Sequence, residues 1–334
     1  MKIKTIVILA LSLAFSAGAD SRAGYRHDDM FSRRGRNIDD VIMQPLDGEA
    51  ALRKEPGMIF HRRNTAPVEE QMNEAAKSFE AGYWREACKL YDTIVRSYPF
   101  SIEAPRAQEN LAKIMEKRGK YENAFTEYCY LLQFYPEAAP VNDILTHMYA
   151  IANWNFGKKR FSHATKLFTT IATIAPGWKR ADDVYFKIGL AELAQKNYYE
   201  AADAFDTISI VYSKSPLAAA ALEKHSIALY ALSLKYKEDE SIQRRALAVT
   251  ISALKNGNPN SPDRDIISKN LQELSYRRDA KAFAIAKFYD TPRYKAETRI
   301  AAYEDFLRKC PSASQATEAR RRLEELRNTN KQKK

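Results

Sequence analysis

The residues best suited to chemistry are the five histidines, the three cysteines and adjacent carboxylates such as Asp182-Asp183 and Glu324-Glu325. Their spacing keeps them apart. His27, His61, His147, His163 and His225 are dispersed, and no His-Glu-x-x-His pair puts two imidazoles on one helical turn, so no metal site is expected. Cys88, Cys129 and Cys310 are odd in number and match no zinc or redox spacing, which leaves burial as small apolar side chains. Neighbouring carboxylates on a helix diverge and make poor acid–base partners. No Gly-x-Ser-x-Gly, phosphate-cradling loop or dinucleotide fingerprint occurs. The reading is of a chain that is not an enzyme and takes no cofactor. What remains is binding chemistry: Phe79, Tyr83, Phe100 and Trp154 are expected to line a concave groove in which an extended or helical peptide lodges, while Trp84 and Tyr121 pack between helices.

Those rings need elements to hold them, and composition points to helices. Gly totals 11 and Pro 13 in 334 residues, too few for a turn-dense β architecture. A period is visible from Glu69 onward. Around Ala87 stand Trp84, Tyr91 and Pro99; around Ala124, Tyr121, Tyr128 and Pro136; around Ala164, Phe161, Phe168 and Pro176; around Ala201, Tyr198 and Phe205, with the proline displaced to Pro216. Twelve residues before each alanine is another small residue: Ala75, Ala112, Ala152 and Gly189. Small residues on both helices of a hairpin allow close approach, the ring four residues on fills the gap to the next hairpin, and the proline stops the second helix. These offsets resemble the tetratricopeptide consensus, with periods of 124−87 = 37, 164−124 = 40 and 201−164 = 37 residues. Beyond Pro216, helical pairs are expected at 217–236 with 241–254 and at 266–289 with 294–309, then a capping helix at 316–327. The fold class implied is all-α: a superhelical solenoid of about six helix-turn-helix repeats with a C-terminal cap.

Residues 1–19 have a different character. Lys2 and Lys4 precede an apolar run from Ile6 to Phe15, and Ala17-Gly18-Ala19 offers a cleavage site, the three parts of a secretory signal peptide. Export to the periplasm is expected. Residues 20–67 read as a flexible tether with a short helix near 38–43, residues 68–216 as N-terminal repeats, 217–327 as C-terminal repeats with the cap, and 328–334 as a basic tail. No cysteine lies near the cleavage region. The net charge of +11 invites a polyanion, but Lys and Arg read as scattered, with local excess only at Arg320-Arg321-Arg322 and at Lys331, Lys333 and Lys334. Without an aromatic-basic RNA motif, no nucleic-acid partner is expected.

Tyr98-Pro99-Phe100, followed by Ala104 and by Ala107-Gln108-Glu109-Asn110-Leu111-Ala112, resembles the outer-membrane assembly lipoprotein family BamD, also called YfiO. A second match runs from Asn258-Pro259-Asn260-Ser261-Pro262 through Leu271, Leu274, Arg278, Lys281, Ala286-Lys287-Phe288-Tyr289 and Tyr294 to Pro311. Together they cover residues 69–327. The resemblance implies a periplasmic scaffold at the inner face of the outer membrane, whose N-terminal repeats contact unfolded barrel precursors and whose C-terminal repeats hold the central barrel subunit. In that reading Arg85, Lys89, Lys113, Lys117 and Arg118 orient acidic or C-terminal groups. Three departures stand out: no N-terminal cysteine for a lipid, one additional repeat around 144–176, and a slightly longer last repeat. A soluble periplasmic adaptor in cell division or wall synthesis is the alternative.

Overall fold

The computed structural model describes residues 66–332. The signal peptide, and all of the tether before Ala66, lie outside them. The described residues form thirteen α-helices and no strand: α1 Val68–Glu80, α2 Trp84–Ser97, α3 Ala104–Lys117, α4 Tyr121–Phe134, α5 Val141–Gly157, α6 Phe161–Ile174, α7 Ala181–Ala194, α8 Tyr198–Val211, α9 Ala218–Lys235, α10 Glu240–Asn256, α11 Arg264–Tyr289, α12 Ala296–Lys309 and α13 Ala316–Gln332. Six hairpins and a closing helix result, and α13 continues past the expected end at Arg327 into the stretch read as tail. The chain divides into two compact units after Ala181.

The repeat marks the helix crossings. Ala75, Ala112 and Ala152 on first helices, and Ala87, Ala124, Ala164 and Ala201 on second helices, are fully buried, as are Tyr91, Tyr128, Phe168 and Phe205 one turn further on. At the fourth hairpin Gly189 replaces alanine because the Phe205 ring occupies the space: a Cβ there would lie 2.6 Å from it. Helices α2, α4 and α6 each stop two residues short of their proline. In all three the last bond comes from the residue before the proline, as when the Tyr98 N–H donates to the Ile94 carbonyl at 2.8 Å. The ring that follows has no N–H to continue the ladder.

The turns inside the first four hairpins share a device that the consensus residues did not reveal. Five residues before each crossing alanine stands a residue in the left-handed region: Gly82 (φ 79°), Gly119 (φ 70°), Lys159 (φ 58°) and Lys196 (φ 64°). Glycine takes this conformation freely, whereas the Cβ of lysine makes it costly.

In the second unit, acidic groups fasten the turns between helices. Asp182 accepts the Ser215 hydroxyl at 2.6 Å. Buried Glu223 accepts the Asn258 N–H at 2.8 Å and the Ser261 hydroxyl at 2.5 Å, which anchors the Asn-Pro-Asn-Ser-Pro turn. Asp290, at the end of α11, takes Arg299, Arg322 and the Tyr303 hydroxyl, joining α12 and α13 to it. Burial would raise that carboxyl, but hydrogen bonds from Arg322, Arg299 and Tyr303 outweigh it and bring it down to about 2. Buried His225 of α9 lies 3.6 Å from Asp206 of α8, which also binds Arg245 of α10. Desolvation, opposed by Asp206 and aided by Arg245, lowers the imidazole to about 4.

Two outcomes follow for stability. A methyl group added at Gly119 would meet no atom within 4 Å, so Gly119→Ala carries backbone cost alone and should destabilise by about 1 kcal/mol, while Lys159→Gly should stabilise by about the same; thermal melts of both variants check the pair. For His225, the unfolded state takes up a proton near pH 6.5 and the folded state only near 4, so stability is full above 6.5 and falls as pH drops between those values. Denaturant titrations should show His225→Leu with a shallower decline across that window, the difference reaching up to about 3 kcal/mol.

Candidate protein-binding surface

Hairpins of the first unit nest side by side, with α2 against α3 and α4 against α5. This brings the turns α1–α2, α3–α4 and α5–α6 onto one edge. The Lys117 ammonium at the end of α3 lies 4.8 Å from the Phe79 ring centre and 5.2 Å from that of Trp84. One hairpin later, Trp154 at the end of α5 packs on Tyr121 with centroids 4.7 Å apart, and Lys158 and Arg160 lie 5.9 and 5.3 Å from its ring. Lys117 and Trp154 hold equivalent places, since 117−87 and 154−124 are both 30. Phe156 and Phe161, at 5.4 Å, repeat the Phe79–Trp84 spacing.

The four aromatic residues proposed as a groove therefore divide. Phe79 and Trp154 are half-buried between consecutive hairpins, Tyr83 is 65% exposed at the start of α2, and Phe100, 75% exposed, is at the opposite end of that helix. The fourteen residues of that helix put Tyr83 and Phe100 about 20 Å apart. Phe100 has Ile102 for company, and its turn is tied to the following one by the Tyr135 hydroxyl donating to the Pro99 carbonyl at 2.9 Å.

The charge on the turn edge corrects the reading of scattered basic residues. Lys117, Arg118 and Lys120 surround one turn and Lys158, Lys159 and Arg160 the next, and all but half-buried Arg118 are exposed. About forty residues separate the triplets in sequence, so composition along the chain does not join them; nesting of the hairpins does. Two acids beside these turns face imidazoles. Glu116 accepts His147 Nδ1 at 2.9 Å and the Tyr128 hydroxyl at 3.3 Å, and Glu122 lies 3.4 Å from His163 Nε2. Burial, reinforced by Glu116, pushes the Tyr128 phenol up, so this hydroxyl stays a donor. Lys113 is paired with Glu109 at 2.5 Å, while Arg85 and Lys89 are exposed on α2. The edge combines flat rings, which offer apolar contact at low entropic cost, with cations that favour carboxylates.

Sequence reasoning missed the interior polar groups, because their partners lie on another helix. Buried Gln108 of α3 donates to the backbone carbonyl of Glu127 of α4 at 3.3 Å and to its carboxylate. The cysteines are free thiols, Cys129 and Cys310 buried and Cys88 half-buried; burial raises all three. Among the described residues no three His, Cys, Asp or Glu side chains come together to hold a metal ion, and no helix is long and apolar enough to cross a membrane.

Antiparallel helix pairs returning every 37 to 40 residues, crossing at small side chains and closed by prolines, define an all-α helical repeat of the tetratricopeptide type. No protein-family model and no curated protein matches the chain. Among solved structures, it is similar to a tetratricopeptide repeat protein from Parabacteroides merdae, at 16% identity over 78% of this chain and 98% of the other, with a TM-score of 0.31. A MamA protein gives 17% identity over 58% and 98%, with a TM-score of 0.31. Kinesin light chain repeats from Podospora anserina give 13% over 59% and 100%, with a TM-score of 0.28.

The two kinds of ring should separate in mutagenesis. Trp154→Ala removes a packed ring between hairpins and should cost about 3 kcal/mol, whereas Tyr83→Ala should stay within about 0.5 kcal/mol of the parent. Urea unfolding of the two variants measures this.

Proposed function

We propose that this chain is a non-enzymatic scaffold that holds other polypeptides, and that the basic aromatic edge of the first unit is one of its gripping surfaces. The observation that carries the reading is the pair of basic triplets on adjacent turns, interleaved with Trp84, Tyr121 and Trp154. Acidic segments, or a free C-terminal carboxylate, are the complement of such a surface. The signal-like residues 1–19 support work in the periplasm. Tyr98-Pro99-Phe100 and the Ala286-Lys287-Phe288-Tyr289 helix support a role like that of the BamD family, with barrel precursors met by the N-terminal repeats and the central barrel subunit by the C-terminal ones. A soluble envelope adaptor in division or wall synthesis is the second reading, favoured by the position of the first cysteine, Cys88, half-buried within α2 instead of near a processing site.

Cross-linking and affinity capture of the full chain from an envelope-bearing cell, with fractionation alongside, tests the pair. Recovery of the barrel subunit from the membrane fraction supports the assembly role; a washable periplasmic protein without it supports the adaptor. The scaffold reading itself is tested with whichever partner is recovered. Reversing Lys117, Lys120, Lys158 and Arg160 to Glu should weaken binding at least about tenfold and flatten its salt dependence. Unchanged affinity and salt response in a folded variant would remove the edge from the function.

A further inference from the structure

Helix α11 runs for 26 residues where the other helices have 13 to 18. Its two halves bury different faces. In the first half Ile267 and Leu274 are buried with Leu271 half-buried between them, and α9 and α10 pack against this helix. Near Arg277, whose guanidinium lies 5.6 Å from the Tyr230 ring of α9, that cover ends. In the second half Phe283 and Ala286, on another face, join the core with Tyr303 and Phe306 of α12 and Leu323 of α13. Among the described residues the original face then stays exposed, with its Arg278 bonded to Asp279 and set beside Cys310. Ile267, Leu271, Leu274, Arg278, Lys281, Ile285 and Phe288 follow one another at alternating spacings of four and three, the seam of a coiled coil. Its first three members are covered, whereas Lys281 is exposed, Arg278 is 48% exposed, Ile285 53% and Phe288 61%.

We infer that this open half-seam receives an acidic amphipathic helix from a partner protein, which continues the packing that α9 and α10 provide to the first half. Two observations select that occupant. The face is continuous with an interface already formed on the same helix, so its geometry suits a helix laid alongside. Its charge is one-sided: of the cations in residues 276–295, Arg277 pairs with Glu273, Arg278 with Asp279 and Lys287 with Glu318, which leaves Lys281, Arg293 and Lys295 without an acid among the described residues. The acids of the same stretch are engaged, Asp279 by Arg278 and Asp290 by Arg299 and Arg322. A partner helix would place apolar residues on Ile285 and Phe288 and a carboxylate opposite Lys281. The neighbouring rings of Tyr289 and Tyr294, each within 5.1–6.1 Å of another ring in the Phe288 cluster, hold Phe288 in place at the mouth of the seam.

This assignment rests on the scaffold reading, and the probes are chosen to fail separately from it. Two synthetic three-heptad helices, identical in their apolar seam but flanked by Glu in one and Lys in the other, are titrated against the full chain by fluorescence anisotropy. The Glu-flanked helix should bind at least about tenfold more tightly than the Lys-flanked one. Phe288→Asp should abolish that binding, and Lys281→Glu should shift preference toward the Lys-flanked helix, a reversal that misfolding does not produce. Equal binding of both helices, or binding indifferent to residues 281 and 288, overturns the inference. So does Phe288-dependent self-association in sedimentation, which would give the seam to a second copy. In either case the scaffold reading survives if capture through the first unit persists.

Discussion

Close approach of two helices at residues with almost no side chain is the constraint on which the rest depends. Ala112 and Ala124 are fully buried where α3 and α4 cross, and at Gly189 even a single added carbon would run into the Phe205 ring. Each hairpin is thereby held at a spacing that leaves its neighbour a matching surface, and buried rings such as Tyr91 and Phe168 contribute about 1.5–3 kcal/mol each by leaving water. A repeat protein contacts mainly its neighbours, so the same local solution is used again along the chain.

The binding surface is a by-product of that stacking. Nesting places like ends of successive helices side by side, and residues occupying equivalent positions become lateral neighbours. Lys117 over Trp84 and Trp154 on Tyr121 are the same contact made twice with different side chains, once as a cation on a ring and once as ring on ring. Their substitution for one another costs the stack little, since both present a flat or flexible apolar surface to the ring beneath. The turn residues around them are free to carry charge, and here they carry one sign.

The second unit departs from this regularity at α11. A helix nearly twice the usual length cannot be covered by one neighbouring hairpin, and the change of buried face between Leu274 and Phe283 hands it from the α9–α10 hairpin to the α12–α13 pair. Asp290 ties the elements together at that handover by collecting two guanidiniums and a phenol at the helix end. Such a cluster is more demanding than apolar packing, because removing any donor leaves buried charge behind.

Much of the fold was legible in the residue order alone. Alanines, rings and prolines at repeating offsets determine hairpins because each acts through local physics: a missing side chain, a ring four residues along the same face, a backbone with no N–H. The four C-terminal helices and the cap were likewise readable from apolar periodicity and from Asn258-Pro259-Asn260-Ser261-Pro262. The left-handed turn residues were half hidden, for Gly82 and Gly119 announce themselves whereas Lys159 and Lys196 do not. What only the tertiary structure decided is which distant residues share a surface. Tyr83 and Phe100 stand close in sequence and at opposite ends of a helix; Lys117 and Lys158 are far apart in sequence and on one edge. Side-chain chemistry belongs to the residue, but neighbourhood belongs to the stack, and it is the stack that turns dispersed lysines and rings into a site.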